Sequence, residues 1–398
     1  MKRPPLLLLL IAPASTAAFL LYAANTSARS PKKPKRLFDP VPADKSAEKT
    51  PEASGVRSRV SVAAVREQEI SVNFSSIDFS EARELSLPLL GGVSYTASRV
   101  EPEGFEASPG GGFVWRGKIS AEGGWAGDVT LSAEGGALSG LIYSPEGVYE
   151  IVPQKDFTHL LVQIDQSRFP PCGGALPAFA ASETVATDAA TAATDAATLK
   201  VEMAPATFGA SDAADDGGQL DVLVIYTSNV RTALGGTTQA EAFAHEAVNT
   251  TNTAYINSDI HTRLRLVGAL EVGFAETGDL TAALTWAAND ETVKAARNSV
   301  RADLVAFIAE RGGNLCGVGR LMTRSSLGPG FQHAAYSVSA RGCSVGNLTF
   351  AHEIGHNQGC QHNPENGGPP DVLAYPYAFG HYEDGLFRTV MSYSDPCT

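Results

Sequence analysis

Between residues 56 and 169 the apolar positions come in short β-prone runs, at 70–74, 112–115, 128–131, 139–143, 147–152 and 160–164, separated by glycine and polar turn residues. Closely spaced runs of this kind predict an antiparallel sheet, taken here as a β-rich domain over 56–172. After Gly218 the pattern changes. Residues 220–226 (LDVLVIY) and 303–309 (DLVAFIA) are short, almost unbroken apolar runs, as in strands buried on both faces. Residues 263–272 alternate as a strand, and 334–340 form another. Residues 238–256 read as a helix, and 280–300 as a second one with Ala, Leu and Val gathered on one face. Strands alternating with helices predict an α/β (α+β) domain over 219–398, with a mostly parallel sheet and helices packed against it.

Composition fills in the remainder. Residues 1–28 begin Met1-Lys2-Arg3, continue through an apolar stretch and end in small residues, the layout of a secretory signal. The apolar stretch is just long enough to span a membrane, but Pro13 and its short core favour cleavage. The expectation is a secreted protein, extracellular or periplasmic, without stable membrane association. Residues 29–55 are rich in Lys, Pro, Ser and Ala and read as a disordered linker. Residues 173–218 turn to Ala, Thr and Asp and read as a protease-accessible connector. The chain has 30 Lys plus Arg against 43 Asp plus Glu, which leaves no basic face for nucleic acid.

The chemistry lies in one stretch. His352, His356 and His362 stand at i, i+4 and i+10, with Glu353 beside the first and Gly359 between the second and third. On a helix i and i+4 share a face, so two imidazoles can point at one ion. Gly359 permits a left-handed turn that ends the helix and swings His362 back as third ligand. Three neutral nitrogens leave a fourth zinc position open for water, as in catalytic sites, and Glu353 is placed to take that water's proton.

HExxHxxGxxH followed by a methionine turn, here Val390-Met391-Ser392-Tyr393, resembles the metzincin zinc metalloproteases. The run 220–227, Ala244-His245-Glu246, and residues 347–351 before the motif are similar to reprolysin-type members, and most similar to bacterial peptidyl-Asp metalloendopeptidases. The resemblance implies a metzincin-type catalytic domain preceded by a propeptide domain, with one Zn(2+) per chain held by His352, His356 and His362. It implies Glu353 as general base and Met391 as the floor beneath the metal. It also implies a zymogen acting on protein or peptide substrates, with a preference for acidic residues. His381 and Arg388, between the third ligand and Met391, are candidates to border the substrate cleft. Asn363 stands where the reprolysin pattern has Asp. The resemblance also implies a helix after the methionine turn, for which the residues after Met391 are short. The alternative is therefore a secreted binding protein with a degenerate or truncated metalloprotease module, against which the retained Glu353 speaks.

Five cysteines suffice for two bridges and one leftover thiol. Cys360 follows Gly359 at the site and Cys397 follows the methionine turn beneath it, which favours Cys360–Cys397 and leaves Cys316–Cys343. The odd one, Cys172, sits between Pro170-Pro171 and Gly173-Gly174 where the β-rich block ends. A thiolate is a good zinc ligand, so Cys172 is the candidate to fill the fourth position and hold the enzyme latent until the connector is cut. Related metzincins use a propeptide cysteine in this way.

Overall fold

The computed structural model describes residues 33–41, 60–108, 111–121, 124–177, 218–368 and 372–393. The expected signal segment, most of the expected linker, residues 178–217 of the connector and Cys397 lie outside the described residues. Among the described residues no helix is long and apolar enough to cross a membrane.

The N-terminal sheet contains β1 (Lys35–Arg36), β2 (Phe38–Pro40), β3 (Ala64–Val72), β4 (Glu84–Pro88), β5 (Ser94–Arg99), β6 (Phe105–Ala107), β7 (Phe113–Ala121), β8 (Gly124–Glu134), β9 (Ala137–Ser144), β10 (Gly147–Pro153) and β11 (His159–Ile164). Its order is β1-β4-β5-β7-β8-β9-β10-β11-β3-β2, with β6 paired to β7. β1 and β2 stand at opposite ends of that order yet are consecutive around Leu37, so residues 35–40 close the sheet into a barrel. Leu37 holds both sides: its N–H donates to Ser86 O and its carbonyl accepts from Asn73 N, each at 2.9 Å. Residues 35–40 thus depart from the disordered-linker expectation over 29–55, most of which lies outside the described residues. Composition there is dominated by Lys and Pro, but a closing strand needs few apolar side chains, and Leu37 and Phe38 supply them by inserting fully into the barrel.

Trp115, Leu131, Leu138, Ile142, Tyr149 and Ile151 fill the barrel interior. The intervening residues Leu141, Val148 and Val152 point outward and are buried as well, against the C-terminal part. β9 and β10 thus bury both faces, which is why their sequences read as continuous apolar runs rather than alternating ones.

The C-terminal part has β12 (Ala175–Pro177), β13 (Gln219–Thr227), β14 (Arg263–Val272), β15 (Leu304–Ala309), β16 (Gly317–Leu321) and β17 (Tyr336–Ala340) in a mixed sheet of order β12-β16-β17-β15-β13-β14. β16 is antiparallel to β17, and the other pairings are parallel. The helices are α1 (Ser228–Leu234), α2 (Thr237–Asn257), α3 (Leu280–Asn289), α4 (Glu291–Val300), α5 (Arg341–Ser344) and α6 (Thr349–Asn357). A small hairpin, β18 (Tyr382–Glu383) and β19 (Phe387–Arg388), follows.

Alternation along β13 sets the layers. Leu223 and Ile225 pack with α3 and α4, whereas Val222, Val224 and Tyr226 pack with α2 and α6. The helix expected over 280–300 is two helices, because Asp290 leaves helical geometry and its carboxylate caps the N–H groups of Thr292 and Val293. α2 is wedged between barrel and sheet, so its buried face includes Gln239, Glu246, Asn249 and Asn252. Arg116, Ser132 and Thr130 of the barrel meet that face through hydrogen bonds to Asn249 (2.9 Å), Glu246 (2.6 Å) and Thr253 (3.1 Å).

Candidate metal centre

All nine residues of α6 are buried. Its C-terminal end is tied to the sheet by Asn357, whose Nδ2 donates to Arg320 O (2.7 Å) and Tyr336 O (3.0 Å) on β16 and β17. Gly359 then takes φ +90°, and Cys360 N–H returns to Gly355 O at 2.9 Å. That left-handed turn ends the helix and directs His362 back toward His352 and His356. The three imidazole centroids lie 4.8–5.1 Å apart, and the Nε2 atoms of His352 and His362 are 3.1 Å apart.

The other ring nitrogens fix the tautomers. His352 Nδ1 lies 2.8 Å from Val390 O, and His356 Nδ1 lies 2.8 Å from Cys360 O. A carbonyl only accepts, so both Nδ1 atoms carry the proton and both Nε2 lone pairs face inward, the form that ligates a metal. Burial keeps the rings neutral: it brings His352 down to about 3, holds His356 well below its ordinary value, and lowers His362. Met391 lies against α6 at Gly355, where a Cβ would come within 2.3 Å of its sulfur. One turn therefore supplies both the carbonyl that orients His352 and the side chain beneath the site.

Glu353 is fully buried, and burial pushes its carboxyl up to about 8. Its Oε1 lies 3.2 Å from Cys172 Sγ, and that sulfur is 4.0 Å from His356 Nε2. The donor atoms of Cys172, His352, His356 and His362 all lie within 4.8 Å of one another. Three imidazole nitrogens and one sulfur, converging in a buried pocket, fit the donor chemistry of zinc. Burial and then the Glu353 charge push the Cys172 thiol well above its ordinary value, so with protein groups alone the S–H faces the carboxylate. A divalent ion would reverse this, because a metal-bound thiol is deprotonated.

Cys172 reaches the pocket because its segment lies along the sheet edge. Cys316 N donates to Pro171 O (2.9 Å), Gly173 N donates to Gly317 O (2.7 Å), and β12 continues the pairing in parallel to β16. β16 can approach α6 because Gly317 faces it: a Cβ there would lie 2.4 Å from Glu353 Oε1. β16 carries little strand signal in the sequence, because it is five residues long and holds two glycines. The G-V-G spacing opposite the motif is the one trace of it.

The other sequence candidates lie outside the histidine group. His381 is exposed and bonds to Glu383 Oε1 (3.3 Å) and, through its N–H, to Thr389 Oγ1 (2.9 Å), outside the histidine group. Arg388 is half-buried and donates to Ser392 O (3.2 Å) and Asn347 Oδ1 (3.4 Å), on the turn and at the approach to α6. Cys316 and Cys343 form the expected disulfide. Cys360 has no disulfide among the described residues, and its expected partner Cys397 lies outside them. His245 is packed beside Glu134 at 3.4 Å.

The chain is 28% identical over 324 residues to a peptidyl-Asp metalloendopeptidase of Xanthomonas campestris pv. campestris, covering 77% of this chain and 70% of that protein. It is 27% identical over 392 residues to a protein of the same name from Stenotrophomonas maltophilia, covering 91% and 83%. A Pseudomonas aeruginosa protein of that name is 30% identical over 210 residues, covering 48% and 34%. Among solved structures, metalloproteinase-II from Bacteroides fragilis aligns at 10% identity and a TM-score of 0.41, covering 73% of this chain and 86% of that one. Residues 219–396 match the reprolysin-like metallopeptidases of family M12B. Over residues 219–396 the chain thus carries a reprolysin-like M12B metallopeptidase domain.

Proposed function

We propose that the protein is a secreted zinc endopeptidase made in latent form, with the barrel as its propeptide domain. The observation that carries this reading is the convergence of Cys172 Sγ with three inward-facing imidazoles against a buried Glu353. Bound zinc would supply Lewis acidity, making a water nucleophilic near neutral pH and polarising the scissile carbonyl. His352, His356 and His362 would hold it. Glu353, 3.2 Å from the point now held by the thiol, takes the proton of a water standing in that place and passes it to the leaving amine. Val390 O and Cys360 O keep two ligand rings in the required tautomer.

Cys172 occupies the position such a water needs, so the precursor is silent until the segment carrying it is removed. Export is supported by the signal-like layout of residues 1–28. The relatives named peptidyl-Asp metalloendopeptidase support a preference for acidic residues, with Arg388 beside the entry to α6 as the candidate cation. The decisive experiment is casein hydrolysis by the connector-cleaved protein: EDTA should abolish it and zinc restore it. A zinc-loaded, cleaved protein that hydrolyses nothing in a broad peptide library would overturn the reading. Cleavage-site mapping on a denatured protein tests the preference, and sites flanked only by large apolar residues would refute it.

A further inference from the structure

The segment on the sheet edge shows how the protein grips an extended chain beyond the metal cluster. From Pro171 to Pro177 that chain follows Cys316 to Leu321, with Leu176 opposite Arg320 and Pro177 opposite Leu321. Arg320 reaches across to it: Nη1 donates to the main-chain carbonyl of Pro177 at 2.9 Å. The guanidinium is always charged and its residue is only 5% exposed, so an acceptor lying on the edge contributes to satisfying a costly buried cation. The Arg320 backbone is fixed from the other side, since its carbonyl accepts from Asn357 Nδ2 at the end of the helix that bears His352 and His356. Arg320 is therefore held in a set relation to the metal site while its head points at whichever chain occupies the edge.

We infer that Arg320 is a substrate-binding residue of the activated enzyme. Once the latent segment leaves, an extended substrate pairs with β16 in its place, and the Arg320 guanidinium takes a carbonyl or carboxylate oxygen of that substrate. Leu176, opposite Arg320, is four positions after Cys172. That offset places the subsite several residues along the bound chain from the reacting centre. It therefore acts on long substrates and not on short ones. The inference rests on the peptidase reading above and adds a binding determinant to it.

Two peptides with the same cleaved sequence test it, one extending six residues on each side of the scissile bond and one extending two. The unsubstituted, connector-cleaved enzyme should show the lower KM for the long peptide. Arg320→Gln should raise the long-peptide KM about tenfold with kcat within twofold, as expected for a lost charge-assisted hydrogen bond, and collapse the long-to-short ratio. Arg320→Lys, which keeps the charge and is the variant to use should Arg320→Gln not fold, should recover part of that ratio. In the precursor, Arg320→Gln should also speed alkylation of Cys172 severalfold, because the latent strand loses a contact. A KM raised equally for both peptides, or an unchanged ratio, would refute the subsite. An unsubstituted enzyme that cleaves neither peptide would sink the peptidase reading and this inference with it.

Discussion

At the scale of single residues, Glu353 and Cys172 make opposite predictions from one contact. Glu353→Gln keeps the shape and loses the base, so kcat should fall by roughly 10²–10⁴ while bound metal, measured by elemental analysis, stays at one per chain. Loss of metal along with activity would mean that Glu353 is structural. Cys172→Ala removes the sulfur that stands 3.2 Å from the carboxylate. The uncleaved Cys172→Ala precursor should hydrolyse a fluorogenic peptide, whereas the unsubstituted precursor should not. Equal rates for the two uncleaved proteins would end the latency reading.

At the scale of elements, α6 is useful only because it is clamped to the edge of the sheet. Asn357 satisfies two buried carbonyls, on β16 and β17, with one amide. Asn357→Ala leaves both without that donor, at a cost of about 1–3 kcal/mol for each buried group left unmet. The thermal midpoint should drop by several degrees, and zinc should leave faster in a competition with a chromogenic chelator. An unchanged midpoint would show that water replaces the amide and that the clamp is dispensable. Gly317 makes a sharper steric demand. Gly317→Ala places a methyl 2.4 Å from Glu353 Oε1, so it should impair hydrolysis more than folding, read as kcat against circular dichroism.

At the scale of the whole molecule, barrel and protease share one apolar cluster, yet their contact also buries two carboxyls. Glu150 of β10 sits against Gly346, with the Arg341–Glu310 pair beyond it, and burial pushes its carboxyl up to about 8. Glu246 of α2 meets Ser132 and lies near Arg116 and Glu150, and burial raises it well above its ordinary value. A carboxyl raised in the docked state favours docking when protonated. For Glu150 that stability is complete below the ordinary pKa near 4.5 and is lost as pH rises toward 8, by up to about tenfold in affinity per unit, and Glu246 acts in the same direction. After the connector is cut, the two parts should co-elute on size exclusion at pH 5 and separate at pH 8.5. Glu150→Gln should flatten the dependence, and tighter association at alkaline pH would contradict it.

The sequence by itself determined what is local. Histidines four apart on a helix, a glycine that can turn left-handed and a third histidine just beyond it make a ligand set wherever that helix is placed. Strands such as β13 and β15 were legible because burial on both faces demands unbroken apolar runs. Only the tertiary structure decided what depends on partners far along the chain. Residues 35–40 become strands because two barrel edges need closing, a demand that the Lys- and Pro-rich stretch around them does not express. The ligand tautomers are set by the carbonyls of Val390 and Cys360, which every residue type carries and no motif can record. Cys172 stood out in the sequence as the odd thiol, but its meeting with Glu353, 181 positions away, is a property of the folded edge. Arg320 had no signal at all, because a side chain acquires a binding role only when the fold brings an extended chain within its reach.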